Sequence, residues 1–488
     1  VPVLIYLTRN CIAMTLYNDI AHQITQRIHK GVYHPGMRLP GVRHLSTQFG
    51  VSISTIVQAQ RQLENSGLLE ARPRSGYYVT HQVPLRLKTP HPSRPELKPI
   101  AVTGQALVLQ LAQAANHDAI AHLGAAVPDA SFLPLAAFQR SLSHIVRQHG
   151  RRTANYIFPP GLPELQHQIA KRMYLFGSNV DSNEVLITNG CQEAITLALQ
   201  AVAQPGDTIA IESPTFYGLL QVIDALGMKA LEIPTDPQEG ISIPALTLAL
   251  EQWKVKACVV IPNFSNPLGC LMTDDKKRQL VQLAHRHNMV LIEDDIYGDL
   301  GFSGERPRSL HSFDPLGKVI YCSSFSKTLS PGLRLGWMVA GAYFQPVEYL
   351  KYIANLAAPT MQQMAVAHYL EQNSYERYLR QAQSNYQRQV SLFTHAISKY
   401  FPANTRVTQP KGGFVLWVEL DSKINALVLC QQALEARISI VPGQIFSASQ
   451  KYQNFIRLNC AHPWTSTLEQ ALQYLGQLVF KLIETKDY

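Results

Sequence analysis

The sequence predicts a small domain of three helices and a β-hairpin, followed by a large α/β domain on an open, mainly parallel sheet. Three observations carry this. The chain has 488 residues, too many for one ordinary core. The apolar pattern changes character near residue 100, after a proline-dense stretch. The charge is lopsided as well: residues 1–99 hold 12 Lys+Arg against 4 Asp+Glu, whereas the rest hold 31 against 30. Such asymmetry points to an anionic partner for the first fifth of the chain.

The opening stretch, Val1 to Met14, lacks the layout of a signal peptide and reads as a frayed tail or an over-long gene start, with Met14 the expected real first residue. Ile20, Ile24 and Ile28 then recur every four residues, the stripe of an amphipathic helix stopped by Gly31 and Pro35-Gly36. Leu45 and Phe49 mark a second, shorter helix ended by Gly50. Ser52 and Ser54 offer caps for a third, with Ile56, Ala59 and Leu63 as its buried face and Gly67 as its end. Leu68–Arg72 and Tyr77–Thr80 flank Pro73-Arg74-Ser75-Gly76, a hairpin signal. Three helices and a hairpin in this space make a winged helix-turn-helix over residues 14–80. Pro84, Pro90, Pro92, Pro95 and Pro99 make residues 81–100 a stiffened linker. Over residues 101–488 short apolar runs alternate with helical patterns. Val185–Thr188, Thr208–Glu212, Ala257–Ile261, Val290–Glu293 and Val319–Cys322 read as buried parallel strands. In such sheets ligands sit at the carboxyl ends of the strands.

Composition narrows the setting. No run of 18 apolar residues exists, so a membrane span is not expected. The seven cysteines form no CxxC pair, which argues for free thiols in a reducing cytoplasm and against a zinc site.

The third helix presents Thr55, Gln58 and Gln62 opposite its apolar face, and small polar residues at a helix start reach base edges and phosphates. Arg38, Arg43, Arg72 and Arg74 suit phosphate contact. Pro35–Arg43, Val51-Ser52-Ile53-Ser54-Thr55, Gly67-Leu68-Leu69 and Ser75–Val79 together resemble the GntR family of bacterial regulators, over about residues 16–80. The resemblance implies that double-stranded DNA is the partner, read with Ser52, Ser54 and Thr55 at the helix start. One departure is Ile53, where the family commonly has arginine.

Downstream, Ser323-Ser324-Phe325-Ser326-Lys327 places a lysine just past a buried strand, where it can form a Schiff base with an aldehyde cofactor. Ser324, Ser326 and Arg334 can hold a phosphate. Glu293-Asp294-Asp295-Ile296-Tyr297 offers a carboxylate with a tyrosine three residues on. That pair suits pyridoxal phosphate (PLP), whose ring nitrogen needs a carboxylate and whose ring hydroxyl benefits from a donor. The spacing selects Asp294 with Tyr297. Asn266 supplies a second hydrogen bond to the ring oxygen, and Asn189-Gly190-Cys191 opens a helix suited to phosphate. Pro214-Thr215-Phe216-Tyr217 offers an aromatic face to the ring. Arg457 either clamps a carboxylate or is a surface ion-pair residue.

These strings, with Gly124…Pro128-Asp129 and Tyr156…Pro160-Gly161-Leu162-Pro163-Glu164-Leu165, resemble fold-type I aminotransferases of class I over about residues 120–484. The resemblance implies a PLP-dependent transferase fold with a small α+β subdomain. By it, Lys327 is the internal aldimine lysine and Asp294 binds the pyridine nitrogen. Asn266 and Tyr297 bind the ring hydroxyl, and Gly190, Cys191, Ser324, Ser326 and Arg334 hold the phosphate. Phe216, rather than Tyr217, stacks on the ring. Tyr156 is lent to the neighbouring subunit's phosphate, and Arg457 and Gly124 bind the substrate, Arg457 taking its carboxylate. Cys191 departs from the small or hydroxyl residue often found there. A GntR reader fused to such a domain resembles the MocR group of regulators. That implies a homodimer, and an effector that is PLP itself or an amino acid or amine forming an external aldimine. A working transaminase carrying an accessory DNA-binding domain is the alternative reading.

Overall fold

A computed structural model describes residues 16–72, 75–80, 87–103, 121–372 and 375–484. The chain divides into two compact units, Val1–Arg86 and Leu87–Tyr488.

The first unit has helices at Leu16–His29, Val42–Phe49 and Ile53–Asn65, then an antiparallel hairpin of Leu69–Arg72 with Gly76–Val79. Ile20, Ile24, Ile28, Leu45, Ile56, Ala59 and Leu63 fill its core, so the expected stripes face inward. Each isoleucine or leucine among them taken out of water contributes about 1.5–3 kcal/mol, which lets so short a segment hold together. Gly50, with φ 66°, closes the second helix in the left-handed conformation that glycine tolerates. Ser52 alone caps the third helix, accepting from the Thr55 amide at 3.2 Å, while Ser54 lies inside its first turn. The segment before the second helix adds to the wing: the Gly36 and Leu39 amides donate to the Val79 and Tyr77 carbonyls. Residues 1–15 and Pro73 and Arg74 lie outside the described residues, so the expectations for the tail and for Arg74 fall there.

The large unit is built on a sheet whose strands run, edge to edge, Ile100–Ala101, Lys229–Asp236, Thr208–Ser213, Val255–Val260, Val290–Asp294, Val319–Ser324, Gly336–Val339 and Val185–Thr188. The five strands expected from the sequence share one direction. Gly336–Val339 is inserted antiparallel between two of them, and Ile100–Ala101 pairs antiparallel at the edge. The expectations omitted Lys229–Asp236 and Gly336–Val339. The first begins with Lys and Glu among its apolar residues, and the second is only Gly-Trp-Met-Val, too short for a period to show. A second sheet of four strands, Arg406–Val407, Val415–Glu419, Phe455–Asn459 and Val441–Pro442, packs with helices Tyr375–Tyr400, Ala426–Glu435 and Ser466–Glu484 as a smaller α+β subdomain.

The proline-rich stretch is not uniform. Residues 81–86 lie outside the described residues, whereas 87–101 are laid onto the large unit. His91 bonds Glu419 at 2.8 Å, the Thr235 amide donates to Ser93 Oγ at 2.8 Å, and Trp253 Nε1 donates to the Leu97 carbonyl at 3.0 Å. Proline stiffens this segment, and side chains and strand pairing hold it. The six described cysteines are buried and unpaired. Among the described residues no helix is long and apolar enough to cross a membrane.

Candidate functional site

Four strand ends and one helix start of the large unit converge on a cavity of about 200 Å³. Three consecutive acids, Glu293, Asp294 and Asp295, stand at the end of the strand Val290–Asp294, and each has a different fate. Glu293 accepts the Leu310 and His311 amides at 2.7 and 2.9 Å, which ties the strand to a neighbouring turn. Asp295 is held by Arg306 at 2.7 Å, Asn263 at 2.9 Å and Tyr321 at 3.0 Å, on the side away from the cavity. Asp294 alone lines the cavity, where Cys191 Sγ donates to its Oδ1 at 3.2 Å and the Ile296 amide also reaches it. Burial raises its carboxyl to about 6, against the pull of those hydrogen bonds.

Lys327 closes a helical turn directly after the strand Val319–Ser324. Its Nζ enters the cavity and donates to the Ala126 carbonyl at 2.6 Å. Burial, then the charges of Arg457 and Arg334, lower its ammonium to about 8, and Asp294 opposes them. A lysine so placed releases its proton far more readily than a solvated one, as an amine nucleophile requires. Tyr297 follows Asp294 by three residues and also lines the cavity; its buried hydroxyl has no hydrogen bond of proper geometry. Burial pushes that phenol up, so it stays a protonated donor. Asn266 sits opposite, its Oδ1 accepting from Arg457 Nη1 at 3.3 Å.

An anion cradle forms where the helix Cys191–Val202 begins. Gly190 has φ 93°, and a Cβ there would fall 2.6 Å from Arg334 Nη2, so the space is kept only by glycine. The free amides of the first turn and the helix dipole favour a negative group. Ser326 and Arg334 line the same wall. Arg334 takes the left-handed conformation, φ 48°, and its Nη2 donates to the Asn189 carbonyl at 2.9 Å. A non-glycine residue bears that strain only where its surroundings hold it. Ser324 stands behind this wall, its Oγ accepting the Ser326 amide at 3.3 Å. Phe216 and Tyr217 both line the cavity with ring centroids 4.7 Å apart.

Arg457 is wholly buried, which removes the surface ion-pair reading. Its Nη2 donates to the Gly124 carbonyl, its Nη1 to Asn266, and its Nε has no partner. Arg457 and Gly124 therefore sit behind the cavity wall, joined to it through Asn266. Tyr156 is 70 % exposed and stacks on Phe158 at 5.9 Å, away from this chain's own cavity. Sequence reasoning missed the Ala126 carbonyl and Gln192. The first is a backbone group that no side-chain pattern reports. The second adjoins the helix start already singled out.

The arrangement fits PLP. The unpaired Tyr297 hydroxyl, the cradle that a Cβ would fill, the single carboxylate turned inward and the amine near neutrality are the features that this group requires.

In the first unit, Arg38, Arg43, Ser52, Ser54, Gln58 and Arg72 are exposed and Thr55 is half-buried. Arg38 lies beside the wing, its Nε 3.6 Å from where a Gly76 Cβ would stand, and the Arg72 guanidinium covers the Tyr78 ring at 4.3 Å. Gln60 joins the buried face of the third helix, and its Oε1 is unpartnered.

Comparison with known proteins agrees with both halves. Residues 125–475 match the family model described as aminotransferase class I and II, and residues 16–79 match that of bacterial regulatory proteins of the gntR family. An Escherichia coli protein named as an uncharacterized HTH-type transcriptional regulator, YjiR, is 41 % identical over 96 % of this chain and 100 % of its own length. The 2-aminoadipate transaminase of Thermus thermophilus is 29 % identical over 77 % of this chain and 94 % of its own. Among solved structures, the α-aminoadipate aminotransferase LysN of T. thermophilus superposes with a TM-score of 0.72 at 28 % identity, covering 78 % of this chain and 98 % of that one.

Proposed function

Because the chain belongs to the class I and II aminotransferase family and carries a GntR-family DNA-binding domain in front of it, we propose that it is a PLP-dependent transcriptional regulator whose large unit senses PLP or an amine-bearing ligand. One observation carries the reading. A DNA reader stands in the same chain as a cavity lined by Lys327, Asp294, Tyr297, Asn266 and Arg334, residue types that suit PLP.

When bound, PLP supplies an aldehyde that condenses with amines and a ring that withdraws electrons. Lys327 holds the cofactor through Nζ, and Asp294 keeps the proton on the pyridine nitrogen. Asn266 and Tyr297 bind the ring hydroxyl. The Gly190 and Cys191 amides, with Ser324, Ser326 and Arg334, take the phosphate, and Phe216 covers the ring face. Arg457 receives the carboxylate of the ligand in exchange for the Gly124 carbonyl, so an α-amino acid is the favoured effector class. LysN, one of the similar solved structures, was solved with N-(5'-phosphopyridoxyl)-L-leucine, a cofactor joined to an amino acid. In a homodimer, the exposed Tyr156 reaches the partner subunit's phosphate, and two readers engage paired half-sites in the cytoplasm. Arg38, Arg43, Arg72 and Arg74 grip the phosphate backbone, with Ser52, Ser54, Thr55 and Gln58 at the groove.

The buried Arg457 with its unpaired Nε is the observation that favours a transaminase as the second reading. A single experiment separates the two. The PLP-loaded protein is titrated with amino acids while the visible spectrum, keto acid and DNA affinity are followed, with Lys327→Ala as control. A regulator shows a spectral change and altered DNA affinity without sustained turnover. Keto acid accumulating over many cycles, with DNA affinity indifferent to ligand, overturns the regulator reading.

A further inference from the structure

We propose that Ile53 determines operator specificity by packing against the 5-methyl group of a thymine in the major groove. The inference rests on the reading of the first unit as a DNA reader and names what that reader recognises.

Ile53 is the first residue of the helix Ile53–Asn65, and its side chain is 48 % exposed. In helix-turn-helix proteins the start of this helix meets base edges in the major groove. The other first-turn side chains are occupied with each other. Ser52 Oγ caps the Thr55 amide at 3.2 Å and also lies 2.8 Å from both Ser54 Oγ and Thr55 Oγ1. The hydroxyls of this turn thus hydrogen-bond with one another within the cap, and Ile53 stands exposed between Ser52 and Ser54 as the apolar side chain of that surface. It takes no part in the core, where Ile56, Ala59 and Leu63 face inward. Isoleucine has neither donor nor acceptor for a base edge. The major groove offers one apolar group, the thymine methyl, and that is the feature an exposed aliphatic side chain can read. The first turn therefore selects a T·A pair by burying that methyl, while the arginines of this unit supply affinity that is blind to sequence.

The test begins by enriching double-stranded DNA from a random pool with the full-length protein. Each thymine of the enriched duplex is then replaced, one at a time, by deoxyuridine, which lacks only the methyl. The expected result is one thymine per half-site at which the replacement weakens wild-type binding about fourfold, the loss from uncovering one methyl. Ile53→Val keeps that sensitivity, and Ile53→Ser binds the two duplexes equally. The exposed position leaves the core intact, and an unchanged melting curve of Ile53→Ser verifies this. Uniform indifference of the wild type to deoxyuridine, or sensitivity retained by Ile53→Ser, overturns the assignment of Ile53 alone. Failure to enrich any duplex overturns the DNA-reading function and this inference with it.

Discussion

Asp294 and Cys191 show how a single side chain can change a site's chemistry. Without a cofactor, burial holds the Asp294 carboxyl at about 6, against an ordinary value near 4. The native state therefore favours the neutral acid. Ionising it reduces stability as pH rises from about 4, and the loss is complete above about 6. Asp294→Asn removes that titration. The cofactor-free variant should melt above the parent at pH 8, with the gap closing at pH 4; a gap independent of pH would refute this. Cys191 answers its departure from the family pattern by turning Sγ to Asp294 Oδ1. Its backbone amide remains at the helix start. Lys327 titrates in the opposite sense. With its ammonium lowered to about 8, capture of added PLP should quicken about tenfold per pH unit below 8 and level off above it. Stopped-flow absorbance reads this directly, and Lys327→Arg should show no such phase.

The segment after the strand Val290–Asp294 is set by charge pairing. Arg306 bonds Asp295 at 2.7 Å and Asp299 at 2.6 Å while its guanidinium lies 3.5 Å over the Phe176 ring. Asp295 is fully buried in this pair, so removing the arginine leaves an uncompensated charge. Arg306→Ala should destabilise the large unit by about 3–5 kcal/mol in urea unfolding. A loss below about 1 kcal/mol would show that the pair does not hold the segment. This pairing also explains what spacing alone could only suggest. Two adjacent carboxylates are equivalent on paper, and the partner drawn from eleven residues away fixes which one faces the cavity. The turn at Gly190 is similar. Its positive φ is a local property of glycine, but the need for it comes from Arg334 and from Gly336, whose Cβ would stand 2.7 Å from the Gly190 backbone.

The division of charge between the units has a measurable consequence. The first fifth of the chain carries the basic excess, and a reader that neutralises phosphates releases their counterions. Each arginine on a phosphate contributes about 0.9 to the slope of log affinity against log salt. Arg43→Gln should weaken binding to all duplexes alike and flatten that slope by about 0.9 for every reader engaged. A selective loss on one duplex would instead make Arg43 a base reader. In the large unit the excess nearly vanishes, in keeping with small ligands rather than polyanions.

Much is legible in the sequence itself. The stripe Ile20, Ile24, Ile28, the five parallel strands and the strings around Lys327, Asp294 and Asn266 follow from helical period, buried apolar runs and the residue types that PLP chemistry demands. These are local signals, carried within a dozen residues of chain. Tertiary structure decided the rest. It laid residues 87–101 onto the large unit, inserted Gly336–Val339 against the direction of its neighbours and buried Arg457 against Gly124. It also set the Ala126 carbonyl on Lys327, and turned Asp294 inward and Asp295 away. Each of these joins groups distant in sequence, through backbone atoms or charge pairs that leave no period in the chain. Only folding brings them within the few ångströms over which hydrogen bonds and buried charges act.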